Sequence, residues 1–420
     1  MSDRPIQATY LIETAFPLEQ AANMMAGEQS SGTFVKTPGE TPELQANHGA
    51  TVLEIEPLGP VEAPTLPGSK RPADGNLQYQ RAQVRLGWPV ENVGHNLANL
   101  GATLAGNLFE LGPFSGLKLL DFELPDSFAE RYTGPTFGVA GTRRLTQVEG
   151  RPIIGTIIKP SVGLSPAVTA QQVETLIEAG LDFLKDDELM GDSPHSPFEA
   201  RVDAVMEVIN RFADRTGKKP MFAFNLSGEL EDMYRRHDYL VAAGGTCAMI
   251  NLNWVGFTAG RAFRQHCQLP IHGHRNGWGM FSRSPVLGME FAAYQKFWRM
   301  VGVDQIHVNG LRNKFCETDE SVIRSIRACQ ADFIGLSSPI PVVSSGQWAG
   351  QAPDTYAVAQ GTDLMYLCGG GIVGHPMGIT AGVLSLLQAW EAAMEGTELI
   401  DKAKEHPELA AALEFYGKRR

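Results

Sequence analysis

The sequence has few of the features that would place it outside ordinary enzymes. Its five cysteines, Cys247, Cys267, Cys316, Cys329 and Cys368, are unevenly spaced and form no CxxC pair. That argues against a zinc site or a disulfide framework and points to a reducing cytoplasm. No apolar run is long enough to span a bilayer, and Met1 to Phe16 has neither a cationic start nor a continuous apolar stretch. A soluble, unprocessed chain without membrane attachment is therefore expected. A basic stripe is also missing. With a formal net charge of -12, nothing replaces counterions along a phosphate backbone, so nucleic acid is not an expected partner. An anionic substrate has to be held by a few placed groups.

A chain of 420 residues can bury a large core, and its length suggests two domains. The first third alternates elements: a strand near Ala8–Ile12, a helix at Leu18–Met25, strands at Val52–Ile55 and Gln83–Leu86, a helix at Val93–Leu104 and a strand at Leu117–Phe122. That order predicts a ferredoxin-like α+β domain over residues 1–134. Gly27 to Pro42 is rich in Gly, Ser, Thr and Pro and reads by itself as a surface loop. After Gly134-Pro135 the texture becomes short apolar runs, each followed by a helical pattern. The runs are Ile153–Ile158, Phe183–Lys185, Met221–Asn225, Ala248–Leu252, Pro270–His272, Gln305–Val308, Pro341–Val343 and Leu364–Leu367. Eight such repeats predict a (β/α)8 TIM barrel over residues 135–420, with its chemistry where strands run into the following loops.

Nearly every predicted strand ends in polar or glycine residues. In order they are Lys159; Lys185-Asp186-Asp187-Glu188; Asn225; Asn251 and Asn253; His272, His274 and Arg275; His307 and Asn309; Ser344-Ser345-Gly346; and Gly369-Gly370-Gly371. Stability alone gives no reason to converge so many costly groups on one rim. Lys185 with Asp187 and Glu188 suits a hard, oxygen-liking cation such as Mg²⁺. The alternative is a solvated charge run complementing a helix dipole. The glycine triplet lets backbone N–H groups approach an anion, and Ser344 to Gly346 supplies the other half of a phosphate cradle, although tight turns use glycine as well. Arg275 and His307 can grip a second anionic or hydroxylated end. His272, which alternates with His274, is expected to face away from the pocket.

These motifs, Gly155-Thr156-Ile157-Ile158-Lys159-Pro160 and Gly180 to Glu188 above all, resemble the RuBisCO large-chain family. The likeness continues through His272-Gly273-His274-Arg275, His307 with Lys314, Ser344-Ser345-Gly346 and Gly369 to Pro376, and reaches Glu28 to Thr33 and Gly106-Asn107 in the first domain. It implies that CO2 carbamylates Lys185, which then joins Asp187 and Glu188 around Mg²⁺. It implies that Lys159 handles protons at the enolising carbon with help from His274, and that Lys314 is a mobile-loop lysine. Arg275, His307, Ser344, Gly346, Gly369 and Gly370 would hold the ligand's anionic ends. Glu28, Thr33 and Asn107 would reach into a neighbouring subunit's barrel, making a homodimer the smallest working unit and giving the Gly27 to Pro42 loop a role.

The departures matter equally. Ser161 and Trp278 stand where the carboxylase has a lysine and a histidine, Ile157 replaces a hydroxyl-bearing residue, and Asn313 replaces a glycine before Lys314. These losses resemble the form IV, RuBisCO-like proteins, which do not fix carbon dioxide. Anion-binding groups at both ends of the site, with an amide at Asn107, lean towards Mg²⁺-dependent decarboxylation of 3-oxo-isoapionate 4-phosphate. Carbon–carbon hydrolysis of the same acid, a methionine-salvage enolase or isomerase, and a catalytically silent binding or regulatory protein are the alternatives.

Overall fold

The computed structural model of the protein describes residues 4–418 except Phe34, Asp74, Asn76 and Leu77. Two compact units divide the chain. One comprises the chain up to Thr133 with Gly277–Trp298 and Asp332–Leu336, and the other comprises Gly134–Asn276, Arg299–Ala331 and the chain from Ser337 onward.

The first unit is built on a sheet of β1 (Ile6–Thr14), β2 (Thr51–Val61), β3 (Tyr79–Trp88) and β4 (Phe114–Glu123). Its order β4-β1-β3-β2, antiparallel throughout, is that of the ferredoxin-like arrangement expected from the sequence. Ile6, Ala8, Tyr10 and Ile12 form the buried row of β1, as a two-residue period requires. The helix Leu18–Glu28 buries Ala21, Ala22, Met25 and Ala26. β2 carries Pro57 and Pro60 and is the sheet's edge, where a missing N–H costs least. The expected helix from Val93 begins only at Leu97, after Asn96 caps it by accepting from the Asn99 amide at 3.0 Å.

The second unit holds eight parallel strands in a closed barrel: β5 (Ile153–Ile157), β6 (Phe183–Lys185), β7 (Met221–Asn225), β8 (Cys247–Asn251), β9 (Ile271–His274), β11 (Gln305–His307), β12 (Ile340–Val343) and β13 (Met365–Leu367). All eight apolar runs read from the sequence become these strands. A further strand, β10 (Leu287–Met289), pairs in parallel with β4 at the edge of the first sheet. Three residues, one a glycine, carried no readable signal for it. Ile153, Phe183, Met221, Ala223, Cys247, Met249, Ile340, Val342, Met365 and Leu367 form one buried cluster, the barrel's interior. Among the described residues, no helix is long and apolar enough to cross a membrane.

Candidate active site

Strand side chains alternate between the interior and the surrounding helices, so the interior row of each strand leads directly to its rim residue. Phe183 leads to Lys185 and Asp187, Ala223 to Asn225, Met249 to Asn251, Val342 to Ser344 and Leu367 to Gly369. By the same parity Asp186 points outward, where Arg201, itself fully buried, meets it at 3.2 Å. Parity also corrects the expectation for His272. Two residues from His274, it lies on the same face, stacked inside the barrel on Phe183 with centroids 5.2 Å apart.

Lys159, Lys185, Asp187 and Glu188 converge at the ends of β5 and β6. Lys159 Nζ donates to Asp187 Oδ2 at 2.5 Å and to Ser161 Oγ at 2.8 Å. Ser161, a departure from the carboxylase pattern, thus helps to hold the lysine. Lys185 is fully buried. Its Nζ donates to the Asp186 carbonyl at 2.7 Å and lies 3.8 Å from Glu188 Oε2. Burial pushes the Lys185 pKa below the ordinary lysine value, with the three neighbouring carboxylates opposing it. The Glu188 carbonyl accepts from Asn225 Nδ2 at 3.1 Å and Asn251 Nδ2 at 2.9 Å, which fixes the backbone of the acidic turn. Asn251 Oδ1 is buried without a hydrogen-bond partner. This set of carboxylate and amide oxygens beside a buried amine matches the donors a hard divalent cation takes.

His274 Nε2 lies 3.5 Å from Glu188 Oε2, and its Nδ1 is buried. Its ring meets His307 edge-on with centroids 4.6 Å apart. His272 Nε2 is 2.9 Å from His307 Nε2, and His307 Nδ1 is 2.9 Å from Ser344 Oγ. Burial holds all three imidazoles well below the ordinary histidine range, so they are uncharged near neutrality.

At the other rim position, the glycine triplet divides by role. A Cβ on Gly369 or Gly370 would meet open space, whereas one on Gly371 would lie 2.4 Å from the Gln347 carbonyl. The first two leave room beside their backbone, and the third is required by packing. Gly370 and Gly371 open a short helical turn, so their amides have no acceptor within it. Gly346 sits at φ 88°, a conformation that suits glycine. A cavity of about 400 Å³ adjoins Gly346 and Gly370 and is walled by Trp348, Phe415 and Tyr416. Tyr416 donates its hydroxyl to the Gly370 carbonyl at 2.7 Å.

Sequence reasoning missed Glu317. Its carboxylate takes Arg275 Nη2 at 2.7 Å, Asn309 Nδ2 at 2.5 Å and Ser321 Oγ at 2.8 Å. Arg275 is thereby aimed by a partner from outside the strand-end register, where no local pattern marks it. Lys314 is exposed, with Nζ 5.2 Å from the Phe315 ring centre. Asn313 donates to the carbonyls of Gly310 and Glu317, both at 3.0 Å. It closes the loop on itself, which a glycine could not do. Trp278 is buried against Tyr294 and Phe291, with centroids 4.6 and 5.8 Å away.

In the first unit, Asn107 Nδ2 donates to Glu28 Oε1 at 3.4 Å. Thr33 bonds instead to Glu40 and to the Val35 carbonyl. On the barrel's flank, His237, Asp238 and His266 group closely enough to suggest a metal site. However, His237 Nε2 accepts the Gln268 amide at 3.0 Å, so its proton sits on Nδ1 and goes to Asp238 at 2.9 Å. That leaves His237 no lone pair for a cation, and two ligands remain.

The ribulose bisphosphate carboxylase large-chain catalytic-domain model matches residues 138–416, and the N-terminal-domain model of the same protein matches residues 2–128. A 3-oxo-isoapionate-4-phosphate transcarboxylase/hydrolase of Xanthobacter autotrophicus is 51% identical over 99% of this chain and 100% of its own. A 3-oxo-isoapionate-4-phosphate decarboxylase of Rhizobium rhizogenes is 46% identical over 97% of each chain. The crystal structure of a rubisco-like protein from Burkholderia fungorum superposes with a TM-score of 0.92 at 44% identity, covering 98% of this chain and 99% of that one. With both domains matched and its barrel rim occupied as described, the chain belongs to the RuBisCO large-chain family, among the RuBisCO-like proteins.

Proposed function

We propose that the protein decarboxylates 3-oxo-isoapionate 4-phosphate. The observation that carries this reading is the convergence of Lys159, Lys185, Asp187 and Glu188 in a chain so similar to enzymes named for that substrate. Lys185 as its carbamate, Asp187 and Glu188 would hold Mg²⁺. When bound, the ion polarises the substrate's 3-oxo group and offsets the negative charge that builds on it. The neutral amine favoured by burial is the form of Lys185 that reacts with CO2.

In the reaction, the bond between the carboxyl carbon and C2 breaks and CO2 departs. The electron pair spreads over C2 and the 3-oxo oxygen as an enediolate, and a proton then joins C2. Lys159, held by Asp187 and Ser161, delivers that proton. The amides beside Gly369 and Gly370, with Gly346, receive the phosphate, and Arg275, aimed by Glu317, receives the carboxylate end. His274, neutral and beside Glu188, hydrogen-bonds the reacting oxygens. Lys314 would reach the ligand only through movement of its loop.

The higher identity to the transcarboxylase/hydrolase favours a second outcome, in which water adds across the bond between C2 and C3, OH to the oxo carbon and H to C2, so that the carboxyl carbon stays in an organic acid. Substrate labelled with ¹³C in the carboxyl group separates the two. Free labelled CO2 supports decarboxylation, label in an organic acid supports the second outcome, and intact substrate refutes both.

The working unit is a homodimer in a reducing cytoplasm, with Glu28, Thr33 and Asn107 completing a neighbour's site. Large apolar side chains are exposed on five of the loops that follow barrel strands: Val162, Leu189, Trp254, Phe315 and Met377. In the dimer a neighbouring subunit would cover these side chains. Mixing inactive Lys159→Met and Glu28→Gln proteins should restore partial activity, because some hybrid sites would be intact. No restoration would refute the shared site.

A further inference from the structure

The histidines beneath the rim belong to a longer hydrogen-bonded chain whose far end no family likeness assigns. Gln305 and His272 are fully buried, and His307 and Ser344 nearly so. His272 Nδ1 lies 2.8 Å from Gln305 Oε1, His272 Nε2 lies 2.9 Å from His307 Nε2, and His307 Nδ1 lies 2.9 Å from Ser344 Oγ.

The direction of the protons follows from the end of Gln305 remote from the histidines. Its amide nitrogen faces the Met221 thioether sulfur at 3.3 Å and Thr142 Oγ1 at 3.5 Å. A thioether offers only lone pairs, so the amide end pointing at it must be N–H, and Oε1 must face His272. His272 then carries its proton on Nδ1 and presents a lone pair at Nε2. His307 fills that lone pair with its Nε2 proton, which leaves His307 Nδ1 as an acceptor. Only the Ser344 hydroxyl can fill that position. The competing acceptor, Ser345 Oγ, lies at 3.5 Å and gives its own proton to Asn309 Oδ1 at 2.6 Å.

We propose that Gln305 and His272 are positioning residues that fix the proton order of this relay and so make Ser344 a hydrogen-bond acceptor towards the substrate. Ser344 then faces a substrate hydroxyl, not a phosphate or carboxylate oxygen, which its lone pairs would repel. Both nitrogens of His307 are committed, so its contribution to recognition passes through Ser344. The relay thus selects a polyhydroxylated acid with an O–H at that point over its deoxy counterpart. This assignment rests on the proposed substrate only for its kinetic readout.

Proton positions in the wild-type protein test it without any variant, by neutron diffraction from deuterated crystals or ¹⁵N shifts of labelled histidines. Protons on His272 Nδ1 and His307 Nε2 are expected, and a proton on His307 Nδ1 would overturn the proposal. Gln305→Leu should leave His272 a mixture of tautomers. It should raise KM for 3-oxo-isoapionate 4-phosphate about tenfold, the loss of roughly one hydrogen bond, with kcat little changed. Ser344→Ala should give the same increase, and the double variant no more than either alone. A folded Gln305→Leu protein with wild-type KM and unmixed tautomers refutes the positioning role. An enzyme inert towards this substrate would refute the functional reading and leave the proton map to stand or fall by itself.

Discussion

The two rims of the barrel bury acids in opposite ways. Where strands begin, Asp304 accepts from the amides of Phe137, Gly138 and Ile271 and from Arg264, at 2.6 to 3.0 Å. Asp182 likewise takes Arg151, Lys218 and the Ile154 amide. Where strands end, Asp187 and Glu188 face two lysines, and the buried Asn251 Oδ1 has no hydrogen-bond partner. A fully satisfied carboxylate is a structural tie. A cluster of charges with an unanswered oxygen nearby is the arrangement that the proposed cation would complete.

Exchanging the roles of the two rims should fail in opposite directions. The largest effect is expected for Asp187→Asn with Glu188→Gln. Steady-state assays should show activity reduced beyond the roughly 10²–10⁴-fold of a single acid–base group and no response to Mg²⁺, with a smaller loss of stability than at the opposite rim, because Lys159 is part-exposed and burial already favours neutral Lys185. Lys159→Met should lower kcat roughly 10²–10⁴-fold and leave Mg²⁺ binding by calorimetry intact. A variant as active as the parent would remove lysine from the chemistry.

Asp304→Ala at the opposite rim should cost roughly 3–5 kcal/mol in chemical denaturation by stranding Arg264. The kcat of the fraction that folds should be normal. Within the glycine triplet, Gly371→Ala should destabilise by about 1–3 kcal/mol through its clash with the Gln347 carbonyl. Gly369→Ala should fold normally and weaken binding of phosphorylated ligand, as titration calorimetry would record. Equal stability losses at both positions would erase the distinction between them.

The last effect concerns acid. His272, His274 and His307 have folded pKa values below their ordinary 6.5. Below that pH the unfolded chain gains protons that the folded chain refuses. Stability from these rings is therefore complete above about pH 6.5 and is lost as pH falls, at up to about 1.4 kcal/mol per ring per pH unit. Urea midpoints at pH 7 and 5.5 check the sign, and a shallower slope in a His272→Asn protein checks the source.

Much of this was legible in advance because barrel strands are short, buried and local. The run Phe183–Lys185 marked its strand and placed Asp187 and Glu188 at its end. Misjudging a two-residue period put His272 on the wrong face, although parity was available in the letters themselves. Glu317 and Gln305 carried no local signal, because their partners Arg275 and His272 lie on a different strand. Strand β10 escaped since Leu287-Gly288-Met289 has neither the length nor the alternation of a strand.

From its sequence alone, this protein's eight strands and the residue terminating each were determined, because neighbouring residues dictate strand periodicity and the turn that follows. Only the tertiary structure decided which of those endings meet, how Arg275 is aimed, and in which direction Gln305, His272, His307 and Ser344 pass their protons. Hydrogen-bond order depends on atoms such as the Met221 sulfur, far away in the chain and adjacent only once the barrel has closed.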